Sequence, residues 1–254
     1  MNNNPTLYFV FGPSGAGKSY FCERMQDATT YSGKTCLHIT SDHIRDNYAK
    51  EQFDKNNPIY IQSEGIPVYT KTEANIIFSE MQKQIIEGLN KGYDVISDRV
   101  ITSNELKEKI IKKFIFNNKI EKNVNLDLIQ ITNSKSNCFK NVEKRNKENV
   151  QTYVPTKTVR VIYNNYERIT PEIFNHLCDQ INSQTKVSIS FTDINRAEGK
   201  AYEYNKENKE FIQLTENEYL KQLETSSKEI EKTEDTENEK SYENKINELE
   251  NDED

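Results

Sequence analysis

Short apolar runs alternate along the chain with longer stretches in which apolar residues recur every three or four positions, which predicts strands separated by helices. The first run, Leu7-Tyr8-Phe9-Val10-Phe11, is apolar throughout, as a strand buried on both faces is. Four more runs read as strands: Leu37 to Thr40, Tyr93 to Asp98, Leu126 to Ile131 and Lys186 to Phe191. Between them, Ala74, Ile77, Phe78, Met81, Ile85, Ile86 and Leu89 mark the buried stripe of a helix over 71–89, stopped by Asn90-Lys91-Gly92. Thr102-Ser103-Asn104-Glu105 opens a further helix as a capping box, with Leu106, Ile110, Ile111 and Phe114 inward and Lys107, Lys109, Lys112 and Lys113 on a solvated face. A basic helix is predicted over 138–149, and others over 156–169 and 171–181. Residues 47–70, polar and carrying Pro58, Gly65 and Pro67, read as a broken helical insertion over the crevice. Strands and helices in this order predict an α/β fold, a three-layer α/β/α domain around a five-stranded, mainly parallel sheet over 1–195. Residues 196–224 read as a small hairpin and helix with no assigned chemistry.

Composition changes this picture mainly at the end of the chain. Hydrophobic residues make up 34% of 254, low for a fully packed chain of this length, so part of it is expected to lie outside any core. The formal net charge of −7 is concentrated in residues 225–254, where twelve carboxylates face four lysines, and the remainder is close to neutral. This tail is predicted to be disordered and is a candidate surface for a protein partner. A near-neutral body is compatible with nucleic acid wherever a local basic groove forms. The four cysteines show no C-x-x-C pair, so neither a zinc site nor a disulfide framework is indicated. No secretory leader or membrane-length apolar run is seen, and the expected home is the reducing cytoplasm, with no membrane partner.

The chemistry begins where the first strand ends. Gly12-Pro13-Ser14-Gly15-Ala16-Gly17-Lys18-Ser19 has the spacing G-x-x-x-x-G-K-S, a glycine-rich loop that curls around phosphates and leads into a helix start at Tyr20. Lys18 is positioned for β- and γ-phosphates and the Ser19 hydroxyl for Mg²⁺, so ATP and Mg²⁺ are the expected cofactors. At the end of the second strand stands Asp42-His43-Ile44-Arg45. Ligands gather at such strand ends in parallel sheets, where Asp42 suits a general base and Arg45 a fork for an acceptor phosphate. A capped helix, with Asp42 satisfying backbone N–H groups and Arg45 solvated, is the alternative. Asp98 closes the third strand at the same edge, suited to orient Arg45 or a Mg²⁺-bound water. In the basic helix, Lys144-Arg145-Asn146-Lys147 is placed to fold over a triphosphate as a lid.

Taken together, the loop Gly12 to Ser19, Asp42 to Arg45, Val95 to Asp98, and Val142 to Asn146 with Pro155, Arg160 and Tyr163 resemble the kinase domain of phage-type polynucleotide 5′-kinases over residues 7–191. The loop and the D-x-x-R pair are shared with many small kinases, zeta toxins among them. The resemblance implies ATP-dependent phosphorylation of a nucleic-acid 5′-hydroxyl, DNA or RNA. It implies Lys18 and Ser19 on ATP and magnesium, Asp42 as general base, Arg45 on the acceptor's phosphate, Asp98 holding Arg45, and Arg145 in the lid. Asn149 stands where the family has a second lid arginine, so that charge is weaker here or comes from Lys144 or Lys147, and Asp193-Ile194-Asn195 does not supply the D-x-D motif of an attached phosphatase. Other acceptors (a modified base in DNA, a nucleotide sugar as in zeta toxins, a small metabolite) remain within the same reading, as does a nucleotide-binding switch of low turnover.

Overall fold

Alternation along β1 (Thr6–Phe11) sends Leu7, Phe9 and Phe11 to one face of the sheet and Tyr8 and Val10 to the other, and all five are buried. A strand with no wet face belongs in the middle of a sheet. In the computed structural model, which describes residues 4–44, 47, 61–63, 66–68, 71–116, 120, 123–148, 154–182, 187–205 and 208–225, β1 occupies that place. It pairs in parallel with β5 (Asp94–Arg99) on one side, Phe9 opposite Ser97, and with β6 (Asn125–Thr132) on the other, Phe9 opposite Leu128. β2 (Cys36–His38) adds to β5 and β7 (Ile189–Asn195) adds to β6, both in parallel.

The five parallel strands are those the sequence predicts, but the sheet has seven. β8 (Lys200–Asn205) pairs antiparallel with β7, and β9 (Glu210–Leu214) with β8, giving the order β2-β5-β1-β6-β7-β8-β9. The hairpin read as a separate extension thus continues the main sheet and covers the edge of β7 that would otherwise present unpaired backbone groups.

Helices cover both faces. α1 (Lys18–Tyr31) follows β1, a helix begins at residue 41 (α2), and α3 (Lys71–Asn90) leads into β5. α4 (Asn104–Ile115), α5 (Lys135–Glu148), α6 (Thr156–Asn164) and α7 (Pro171–Asn182) follow in turn. One core packs Leu7, Phe9 and Phe11 against Met81 and Ile85 of α3, Phe114 of α4 and Phe174 of α7. The other packs Tyr8 and Val10 against Phe21 and Met25 of α1 and Tyr219 and Leu220 of the last described helix, α8 (Glu216–Thr225). The Tyr219 hydroxyl donates to Asp127 of β6 at 2.7 Å and its ring stacks on Phe21. A buried hydrogen bond inside an apolar layer, with a ring contact beside it, fixes α8 in one position.

Three expectations need correction. Within 47–70, the described residues form no helix beyond residue 47. β3 (Ile61–Ser63) and β4 (Ile66–Val68) make a two-stranded antiparallel hairpin, the two strands lying only two residues apart in sequence. In α4, Ser103 is the cap, its hydroxyl accepting from Leu106 N–H at 3.2 Å, and Leu106 lies exposed rather than inward. Lys107 is the reverse case. Its side chain is buried, with the ammonium donating to Asn104 Oδ1 at 3.0 Å and to the Glu167 carbonyl, 4.3 Å from the centroid of the Tyr166 ring. It closes the junction between α4 and the segment before α7.

Arg45, Asn149 and residues 226–254 lie outside the described residues. Among the described residues no helix is long and apolar enough to cross a membrane.

Burial brings the Lys107 ammonium down to about 8, with the Glu167 carboxylate working against it. Between pH 8 and the ordinary lysine range, the unfolded chain therefore holds a proton that the folded chain has released, and stability rises with pH across that window. Denaturant unfolding at pH 8 and pH 10 is expected to show a larger gain for the native chain than for Lys107→Met. Equal gains would mean that Lys107 is charged in both states.

Candidate functional site

β1 delivers the chain to the phosphate loop at the C-terminal edge of the sheet, where parallel strands collect ligands. A tight turn, Ala16 N–H to Pro13 carbonyl at 3.2 Å, starts the curl. Gly15 and Gly17 then take φ of 81° and 97°, values that side chains resist. Space forbids a side chain as well: a Cβ on Gly15 would collide with the Cys138 carbonyl of α5, and one on Gly17 with the Arg196 guanidinium. The loop ends in α1, whose first bond runs from Phe21 N–H to the Gly17 carbonyl at 3.1 Å, leaving the preceding amides for an anion.

Ser14, Gly15, Gly17, Lys18, Ser19 and Tyr20 all line one cavity of about 1230 Å³. Gly12, Pro13 and Ala16 lie outside its lining: Gly12 is close against the Ile131 carbonyl, Ala16 is buried, and the Pro13 carbonyl accepts from Lys18 Nζ at 3.1 Å. Burial pulls the Lys18 ammonium below the ordinary lysine value, while nearby Asp98 supports the charge. An arriving phosphate would supply a stronger partner than a carbonyl.

Asp98 reaches the same cavity from the end of β5. Burial pushes its carboxyl up, but a 3.2 Å contact with His38 Nε2 and the Lys18 charge outweigh that and hold it below the usual carboxylate range. Asp98 is therefore ionised at neutral pH. A partner of Asp98 is His38, at the end of β2, which the sequence pattern does not single out, although the rule that ligands gather at strand ends points to it. Cys22 Sγ completes a group with His38 and Asp98 whose ligand atoms lie within 4.8 Å of one another. Hard oxygen donors for Mg²⁺ are also in place, Ser19 on the loop and Asp98 across from it, both on the cavity wall.

Asp42 lines the cavity and is half buried. The hydroxyl that caps α2 belongs to Thr40, accepting from His43 N–H at 3.0 Å.

α5 is seated on the phosphate loop itself. Cys138 packs on Gly15, and Asn141 Nδ2 donates to the Gly15 carbonyl at 2.9 Å. One and four residues past Asn141, Val142 and Arg145 line the cavity, and Arg145 is near enough to Lys18 to oppose its charge. Arg145 Nε is buried without a hydrogen-bond partner. Asn146 bonds both the carbonyl and N–H of Val154, at 2.9 and 3.0 Å, tying the end of α5 to the start of α6. Lys144 is exposed and pairs with Glu148 at 4.0 Å, and Lys147 is exposed, so of this basic run it is Arg145 that faces the cavity.

Two further cations were not read from sequence. Arg99, one residue past Asp98, lies 5.7–5.9 Å from the ring centroids of Phe9, Phe78 and Phe114, and burial brings it down to about 10. Arg196 follows β7 directly and reaches the Gly17 carbonyl. Its place at a strand end would have marked it, but the predicted strand stopped at Phe191, four residues short of the observed end.

The zeta toxin family model matches residues 1–209. No curated protein sequence matches the chain. Among solved structures, a candidate kinase from Chloroflexus aurantiacus is similar at 9% identity and TM-score 0.52, covering 89% of this chain and 97% of the other. The PezAT toxin–antitoxin system of Streptococcus pneumoniae is similar at 14% identity and TM-score 0.44, covering 93% and 88%. The Pnkp1/Rnl/Hen1 RNA repair complex is similar at 10% identity and TM-score 0.47, covering 74% of this chain and 48% of that one, so the chain spans about half of that relative's length. The loop–helix phosphate cradle at the edge of a mostly parallel sheet, with helices on both faces, is the fold of P-loop kinases, and the chain belongs to the zeta toxin family.

Proposed function

We propose that the protein transfers the γ-phosphoryl group of ATP to a hydroxyl, and that the acceptor is the 5′-hydroxyl end of a polynucleotide. The observation that carries this reading is that Lys18 and Ser19, Asp42, Asp98 and Arg145, contributed by four different elements, all line one cavity. At about 1230 Å³ that cavity exceeds the roughly 300–1,000 Å³ of a single small-molecule site, as a site for donor and acceptor together requires. Beyond Asp42 and Asp98 its wall carries Phe78, Val100 and Leu106 with Arg99 and Lys113, apolar surface beside cations, which suits a ligand with both rings and phosphates.

In this reading the loop amides and Lys18 hold the β- and γ-phosphates. Asp42 accepts the proton of the attacking hydroxyl, and Arg145 faces the charge that spreads over the transferring group. Ser19 and Asp98 would hold Mg²⁺, which when bound supplies charge neutralisation between the phosphates. Arg45 is assigned to the acceptor's phosphate and the tail 225–254 to a protein partner, on sequence grounds alone. Membership of the zeta toxin family favours a second acceptor class, a nucleotide sugar.

Acceptor profiling with γ-labelled ATP decides between them. Label should pass to 5′-hydroxyl oligonucleotides and not to 5′-phosphorylated ones. Label on nucleotide sugars alone would replace the first reading by the second, and ATP binding without transfer to any acceptor would leave a switch. Asp42→Asn is expected to lower kcat by about 10²-fold or more with ATP affinity retained; transfer that survives removes Asp42 from its role. Arg145→Ala should lower kcat by on the order of 10²-fold, with Arg145→Lys recovering only part, because an ammonium cannot reproduce the guanidinium fork.

A further inference from the structure

Arg196 commits the edge of its guanidinium to the protein. Nε and Nη2 donate to the two carboxylate oxygens of Glu216 on α8, at 3.0 and 2.9 Å, and Nη1 donates to the Gly17 carbonyl at 3.3 Å. Glu216 in turn accepts from Arg24 of α1 at 3.0 Å and is itself largely buried, so the carboxylate is fixed from two sides. α8 is held against the sheet by Tyr219 on Asp127 and Phe21, which anchors Glu216 independently of any ligand. An arginine that grips phosphate keeps its fork open for it; this fork is closed on a carboxylate that it shares with Arg24.

What the pair Tyr20 and Arg196 still offers is planar surface. The Arg196 Cζ lies 4.9 Å from the centroid of the Tyr20 ring, in stacking range, with Arg24 at 5.8 Å from the same ring. Tyr20 is nonetheless 56% exposed, so part of its ring stays open to a ligand in the cavity. Both residues line the cavity directly beside Gly17, Lys18 and Ser19. Rings and guanidinium planes of this kind bind flat heteroaromatic groups by stacking and cation–π attraction.

Resting on the ATP-dependent transfer proposed above, we propose that Tyr20 and Arg196 form the base-stacking subsite for the nucleotide, and that Glu216 is the positioning residue that holds Arg196 in place. The C-terminal helix α8, which the sequence left without chemistry, then belongs to the nucleotide site.

The test compares two ligands of the full chain by calorimetry in the presence of Mg²⁺: ATP, and inorganic tripolyphosphate, which has the phosphates and no base. Tyr20→Leu and Arg196→Ala should each weaken ATP by about tenfold while leaving tripolyphosphate unchanged. Tyr20→Leu keeps the ion pair with Glu216, so it reports on stacking even where Arg196→Ala folds poorly. Glu216→Gln should raise KM for ATP with kcat unchanged. Equal weakening of both ligands would make Arg196 a phosphate ligand and overturn the subsite. Unchanged ATP affinity in Tyr20→Leu, or a lowered melting temperature of Glu216→Gln with KM unmoved, would reduce the cluster to a structural strut. An unaltered chain that binds neither ligand would overturn the proposed function along with the subsite.

Discussion

The structure depends on the close approach of backbone to backbone at the phosphate loop. An anion cradle made of amides works only if those amides point inward, and the turn that achieves this leaves no volume for side chains at Gly15 and Gly17. The space is filled by other parts of the chain. The Cys138 carbonyl of α5 occupies the position of a Gly15 side chain, and the Arg196 guanidinium that of a Gly17 side chain. Helix α5 and the segment after the last parallel strand are therefore seated on the loop, and a change in the loop would be felt by both.

Charge around the cavity follows from that seating. Lys18 is buried on the floor, Arg145 descends from a helix rooted on Gly15 through Asn141, and Arg99 stands among three phenylalanine rings on the opposite wall. Two of these cations have their charged forms disfavoured by burial: Lys18 is pulled below its ordinary value and Arg99 comes down to about 10. Asp98, held ionised by His38 and Lys18, supplies the nearest compensating charge. A site that gathers cations at such a cost in desolvation is prepared for an anionic ligand, whose phosphates would repay it.

The far end of the described chain is bound into the same arrangement. β8 and β9 extend the sheet, α8 packs on α1, and Glu216 joins α8 to both Arg24 and Arg196. Zeta toxin family similarity extends to residue 209, while the helix that fixes Arg196 begins at Glu216, so the clamp combines a family fold with a segment beyond the match.

Local pattern was enough for much of this. The G-x-x-x-x-G-K-S spacing determined the phosphate loop because Gly15 and Gly17 supply the positive φ that its turn requires, and the alternation of apolar runs determined five parallel strands because strand burial depends on nearest neighbours in sequence. That Asp42, Asp98 and Arg145 share one cavity wall was legible for the same reason: they sit at predicted strand ends or on a predicted helix face. Tertiary structure alone decided what depends on distant segments meeting. Lys107 looks like one of four solvated lysines until the Glu167 carbonyl and the Tyr166 ring, some 60 residues away, enclose it. His38 becomes a partner of Asp98 only when β2 lies beside β5, and Arg196 reaches Gly17 only when the C-terminal helix supplies Glu216. Sequence spacing encodes local geometry, whereas the pairing of charges across 60 to 180 residues is set by the sheet order, which no single stretch of the chain contains.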